Sequence, residues 1–298
     1  MATGSRRGTW KRTILLLWLT LARSYALDFL SDLPVSNDLA QSLQNIDFST
    51  VTKPLALQYD IFRGRSALRD LPQVDRQLLR LPDLSKTAVA ILLLLRGLGD
   101  AAHEVLLGVT LENLVEAEYA ASRPGTDWAK QHPLSAEDDM LHYILHRCEG
   151  CEIGEGNHTG FENAAYWAAG GPKQHSLQPK HAVSSAMFQY AKQHAPHCIR
   201  SGVLARLVTR TYAKVIAGGG SHKRTVSVAN NSWDPFRFLD LCRNRPEGCL
   251  PAMAREIDML QEIEVRLLLR YELLRKLQEQ LGGNIVTDRS LLDGIQST

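Results

Sequence analysis

Pro251-Ala-Met-Ala-Arg-Glu-Ile-Asp-Met-Leu-Gln-Glu-Ile-Glu-Val-Arg-Leu-Leu-Leu-Arg-Tyr-Glu-Leu-Leu-Arg-Lys-Leu-Gln-Glu-Gln-Leu281, followed by Gly282-Gly283, decides the fold class of this 298-residue chain. Met253, Ile257, Leu260, Leu267, Tyr271, Leu274 and Leu281 recur at three- and four-residue steps, with gaps at Glu264 and Gln278. That spacing is one face of an α-helix. Pro251 suits the first turn and the glycine pair suits the C-cap. About thirty residues at 1.5 Å each make roughly 45 Å of helix. Ile263, Leu268, Leu273 and Leu277 widen the stripe beyond a coiled-coil seam. Packing along the body of the domain is the plainer reading. A helix that joins two copies of the chain is the sharper one, and Glu264 and Gln278 on its seam weigh against a long coiled coil.

Outward from that helix, apolar spacing favours helices nearly throughout, and no stretch alternates convincingly with period two. The expectation is an all-α fold, mostly helical with irregular loops: a single large helical domain with a long C-terminal helix. Residues 85–217 form its core. Helices are expected over 86–97 behind the N-cap Ser85, over 100–121 with Gly108 as a break, and over 182–194 and 199–217. Ser135-Ala-Glu-Asp138 resembles a capping box and opens a further helix to about Cys148. Gly218-Gly-Gly-Ser221 reads as a flexible connector within 218–298. Residues 27–84, broken by Pro34, Pro54, Pro72 and Pro82, read as short helices and turns that wrap the larger body.

The first 26 residues have the three parts of a secretory signal peptide. Arg6, Arg7, Lys11 and Arg12 form a basic region, Ile14–Ala22 is apolar, and Ser24-Tyr25-Ala26 places small residues at −3 and −1. Nine apolar residues span roughly 14 Å, about half of a bilayer core. Residues 1–26 hold five basic residues and no acid, so cleavage takes the count from 34 basic to 29 against 32 acidic, net −3. No basic stripe for nucleic acid stands out on the mature chain. No second apolar run is long enough for a transmembrane span. The run Ala88–Leu95 reads as a buried core helix instead. The expected destination is extracellular. Sequons at Asn157-His-Thr159 and Asn230-Asn-Ser232 then predict a glycoprotein.

Five cysteines outside the cell predict disulfides with one thiol left over. Cys242 and Cys249 bracket a turn-rich segment and are expected to pair. Cys198 is then matched with Cys148 or Cys151, and the remaining cysteine could bridge two chains into a homodimer. The motif Cys148-Glu-Gly-Cys151 falls at the end of a predicted helix, where the dipole disfavours a thiolate, so a redox role is a poor fit.

Eight of ten histidines lie between 132 and 197. His142 and His146 stand one helical turn apart on one face, a spacing suited to a shared metal ion such as zinc. Glu155 and His158, or one of the cysteines if reduced, are the further ligands in reach. The plainer reading is two histidines near a helix end. Gly154 to Trp167 reads as an irregular loop. Phe161, Glu162, Asn163, Tyr166 and Trp167 there have the mixture of rings and polar groups that lines pockets.

No nucleophile elbow, phosphate loop or complete metal-protease motif is present. The leading expectation is a secreted helical glycoprotein, without a resident cofactor, that acts by binding another protein. The alternative is a secreted metal-dependent enzyme or hydrolase built on the segment 142–167. A third reading is a precursor processed at Lys223-Arg224.

Overall fold

The computed structural model describes residues 65–81, 84–121, 134–152, 158–170, 181–202, 208–215, 221–228, 232–244, 251–283 and 286–292. Residues 1–26, most of the 27–84 segment, Asn157, Asn230, Glu155 and Cys249 lie outside them. A 3-10 turn (Ala67–Asp70) is followed by α1 (Gln73–Leu78), α2 (Lys86–Leu95), α3 (Gly99–Leu106), α4 (Leu114–Ala121) and α5 (Ala136–Glu152). Then come α6 (His158–Ala168), α7 (Ala182–His194), α8 (Pro196–Arg200), the strands β1 (Val208–Val215) and β2 (Ser221–Val228), α9 (Pro235–Arg243), α10 (Pro251–Leu281) and α11 (Asp288–Leu292). The fold is all-α, with one antiparallel hairpin beside the helices.

The centre of the core is α2. Eight of its ten residues are buried, with Ile91, Leu92 and Leu93 fully so. A helix that is apolar on every side has no face for water and is driven inside. Among the described residues no helix is long and apolar enough to cross a membrane. The Ser85 hydroxyl caps α2 by accepting from the Ala88 N–H at 3.1 Å. Gly108, at φ 87°, breaks the segment after α3. The capping box of α5 is reciprocal: the Asp138 N–H donates to Ser135 Oγ (3.1 Å) and the Ser135 N–H donates to Asp138 Oδ2 (2.9 Å).

The long helix α10 spans the predicted residues, and the middle of its stripe is buried inside the chain, while Leu281 at its end is exposed. Ile257, Leu260, Leu267, Leu268 and Leu269 have no exposure. Three buried carboxylates, Glu256, Glu264 and Glu272, follow one another at eight-residue intervals. Eight residues advance about 12 Å along a helix and about 80° around it. Each carboxylate therefore meets a different neighbour. Glu256 accepts from the backbone N–H groups of His197 (2.9 Å) and Cys198 (2.8 Å) at the start of α8. Glu264 pairs with Arg147 of α5. Glu272 accepts from Ser85, the cap of α2, and from Arg275 at 3.0 Å. The seam position at Glu264 is thus an intramolecular ion pair.

Two segments differ from expectation. The helix expected over 199–217 is a short helix, α8, then a strand. β1 and β2 pair from Val208↔Val228 to Val215↔Ser221. The reason lies in composition: Val208, Thr209, Thr211, Tyr212, Val215, Thr225, Val226 and Val228 are β-branched or aromatic. Of the expected connector 218–221, Ser221 is the first residue of β2, and 216–220 lie outside the described residues. Lys223 and Arg224 are strand residues, opposite Ala213 and Tyr212. The second difference is in 154–167, where the described part is helix α6 rather than loop.

Candidate functional site

Helices α5 and α6 form a hairpin whose backbones touch. A Cβ on Gly160 would lie 2.6 Å from the Gly150 nitrogen and 2.9 Å from the His146 carbonyl oxygen. A Cβ on Gly150 would lie 2.8 Å from the Phe161 ring. Both positions require glycine, and Gly160 serves helix contact rather than a turn. The close crossing lays the rest of α6 along α5. Trp167 stacks on His142 with ring centroids 4.1 Å apart and planes 17° apart.

The predicted histidine pair is brought together and joined by a third. His142 and His146 have centroids 6.3 Å apart, and His103 of α3 sits 5.1 Å and 5.5 Å from them. All three are buried. His142 Nδ1–H donates to the Asp138 carbonyl at 3.0 Å, and His146 Nδ1–H donates to Glu149 Oε2 at 2.9 Å. His103 was missed because it lies 39 residues upstream on another helix, away from the clustered histidines. Among the described residues no group of three or more His, Cys, Asp or Glu side chains is arranged to hold a metal ion. Glu155 lies outside them, and His158 opens α6. Within the core His142 stacks on Trp167, and His103 lies edge-on to His142 and His146.

The five predicted pocket residues divide. Tyr166 and Trp167 are buried in the core. Asn163 is half-buried on α6. Phe161 and Glu162, with Ala165, form one wall of a cleft of about 170 Å³. The other wall is Phe236, Leu239, Asp240 and Arg243 of α9. These are helix-face positions, spaced by three or four residues. Asp234 fixes the start of α9 by accepting from the Phe236 and Arg237 N–H groups, each at 3.0 Å. The cleft thus has an apolar floor of rings and Leu239 under a rim of two carboxylates and one guanidinium. The α9 half went unread because it lies some 75 residues further along the chain.

A buried polar network holds α9 from behind. Arg147 has no exposure; it pairs with Glu264, donates to Tyr143 Oη at 2.8 Å and lies over the Phe238 ring at 4.9 Å. Tyr143 Oη in turn donates to the Pro235 carbonyl at 3.2 Å. Burial pushes the Glu264 carboxyl up, against the pull of Arg147. Burial also pushes the Cys242 thiol well up.

A second polar cluster joins the starts of α2, α5 and α7 to α10. Glu137 accepts from His181 Nε2 at 3.2 Å, and the His181 ring lies 4.9 Å from Tyr271. Burial pushes the Glu137 carboxyl up, yet His181 and nearby hydrogen bonds outweigh it and hold the group at about 2. Burial pushes Glu272 up instead. In the sequence Ser85 stands out as a cap, Tyr271 as part of the α10 stripe and His181 as one of the clustered histidines, with nothing to join them.

No disulfide joins the described cysteines Cys148, Cys151, Cys198 and Cys242. Cys148 and Cys151 sit in the last turns of α5, as expected. Compared with family models, curated proteins and solved structures, the chain gives no match.

Proposed function

We propose that this chain is a secreted helical glycoprotein that acts by binding another extracellular protein, and that the α6–α9 cleft takes a side chain of that partner. The cleft carries the reading. Its volume of about 170 Å³ falls below the several hundred Å³ of ordinary small-molecule sites and matches one large side chain. The rings of Phe161 and Phe236 with Leu239 offer apolar contact. Glu162 and Asp240 outnumber Arg243 at the rim, which favours a lysine or arginine whose stem lies on the rings.

Secretion supports the reading through the leader, the two sequons and the net charge of the mature chain. Expression in animal cells is expected to release a product that begins at Leu27. An amide-cleaving glycosidase should then lower its mass. Product retained in the cell with residues 1–26 attached would contradict the compartment.

The recognition site is tested by selecting displayed random peptides on the immobilised full-length protein. Enriched peptides should share a basic residue beside a large apolar one. They should lose binding to a Glu162→Lys/Asp240→Lys variant of unchanged thermal midpoint. No enrichment, or equal binding to the variant, would remove the cleft as the site.

A further inference from the structure

We infer that Cys151 and Cys242 are built to form a disulfide that ties the last turn of α5 to α9. Sequence spacing had matched Cys242 with Cys249 instead. Tyr143 meets Pro235 and Arg147 meets Phe238 along facing sides of α5 and α9. One further turn on each helix brings Cys151 beside Cys242, the two thiols acting on each other electrostatically. The Cys151 thiol donates to Gln261 Oε1 of α10 at 3.7 Å. The two sulfurs are therefore neighbours across an interface that other contacts already fix. The Tyr143 and Arg147 contacts join α5 to α9 without help from the cysteines.

The accessibility of the pair is asymmetric. Cys151 is exposed, and Cys242 is 4% exposed. An oxidant arriving from solvent meets Cys151 first. The co-reactant is a small or protein-borne disulfide, RSSR. The Cys151 thiolate attacks one sulfur of RSSR, giving a Cys151–S–S–R mixed disulfide and releasing RS⁻. Cys242 then attacks the Cys151 sulfur and displaces the second RS⁻. Both cysteine protons end on the two RSH products. Two thiols are oxidised and one disulfide is reduced. Burial holds the Cys242 thiol well above its ordinary value, with Glu264 pushing the same way and Arg147 pulling against it, so Cys151 is the thiol that reacts first.

The secretory compartment matters only for where the chain meets an oxidant, and the test supplies that oxidant directly. Purified full-length protein is reduced, incubated with oxidised glutathione, denatured in the presence of an alkylating agent, then digested with trypsin and a glutamate-specific protease. These cuts separate Cys148 from Cys151 and Cys242 from Cys249. The expected product is Gly150-Cys151-Glu152 joined to Phe238–Arg243, lost on reduction. A Cys151→Ser variant should leave Cys242 alkylated and lose the rise in thermal midpoint on oxidation. Cys242 joined to Cys249, or Cys151 and Cys242 both recovered alkylated from oxidised protein, would overturn the inference. Failure of a cell to secrete the chain leaves this result unaffected.

Discussion

Arg147 lies fully buried between Glu264 and Tyr143, with the Phe238 ring beneath its guanidinium. Removing one member of such a pair strands the other charge in a medium that solvates it poorly. Glu264→Ala is expected to cost about 3–5 kcal/mol of stability, measured by denaturant unfolding. The paired replacement Arg147→Met/Glu264→Leu should cost less than Glu264→Ala alone, because no charge is left behind. A double variant less stable than the single one would contradict this. The sequence showed Glu264 as an interruption of an apolar stripe, but its partner lies 117 residues away and no local pattern points to it. Glu137 gives a second test at this scale. Its carboxyl is held at about 2, below its ordinary 4.5. A depressed carboxylate stabilises the fold above the ordinary value, and that contribution is lost as pH falls through 4.5 towards 2. The shift corresponds to about 3 kcal/mol at 1.36 kcal/mol per unit. Glu104, Glu264 and Glu272 are pushed up by burial and act with the opposite sign. Glu137→Gln should therefore flatten the fall of the thermal midpoint between pH 4.5 and 2. An unchanged acid slope would contradict the assignment.

At the scale of elements, chain-local chemistry was legible and through-space chemistry was not. Ser85, Ser135 with Asp138, Gly108 and Pro251 each mark a boundary by what they do to the nearest turn of backbone, and each boundary is where those residues put it. Ser135→Ala is expected to cost about 1 kcal/mol, read by the same unfolding measurement. The segments misread are those where two signals compete. In 199–217 the stretch Val208–Tyr212, β-branched or aromatic at every position but Arg210, is read more faithfully as strand than as the end of a helix. In 154–167 the glycines suggested turns, whereas Gly160 is needed so that α6 can touch α5. Gly160→Ala should lower stability by about 1–3 kcal/mol by forcing the hairpin apart. The hairpin also bears on processing at Lys223-Arg224. Both residues are paired to β1, and proteases act on extended, unpaired chain. A dibasic-specific protease is expected to leave this site intact in folded protein and to cut after unfolding. Rapid cleavage without loss of the thermal transition would contradict the pairing.

At the scale of the whole molecule, α10 sets the arrangement. Its carboxylates hold α8, α5 and α2 in turn, and α5 carries α6 through the glycine contact. The α5–α9 network then places α9 against α6, and the cleft is what remains between them. The sequence reading reached one wall of it, Phe161 and Glu162, because those residues stand in one short stretch. The opposite wall depends on packing that no short stretch encodes. The central claim is that this cleft is a socket for a partner's side chain. Its most direct measurement is calorimetric titration of a selected basic-apolar peptide into wild-type protein and into the Glu162→Lys/Asp240→Lys variant. The account predicts at least a tenfold weaker affinity for the variant, about 1.4 kcal/mol or more, with the same thermal midpoint. Equal affinities for the two proteins would contradict it.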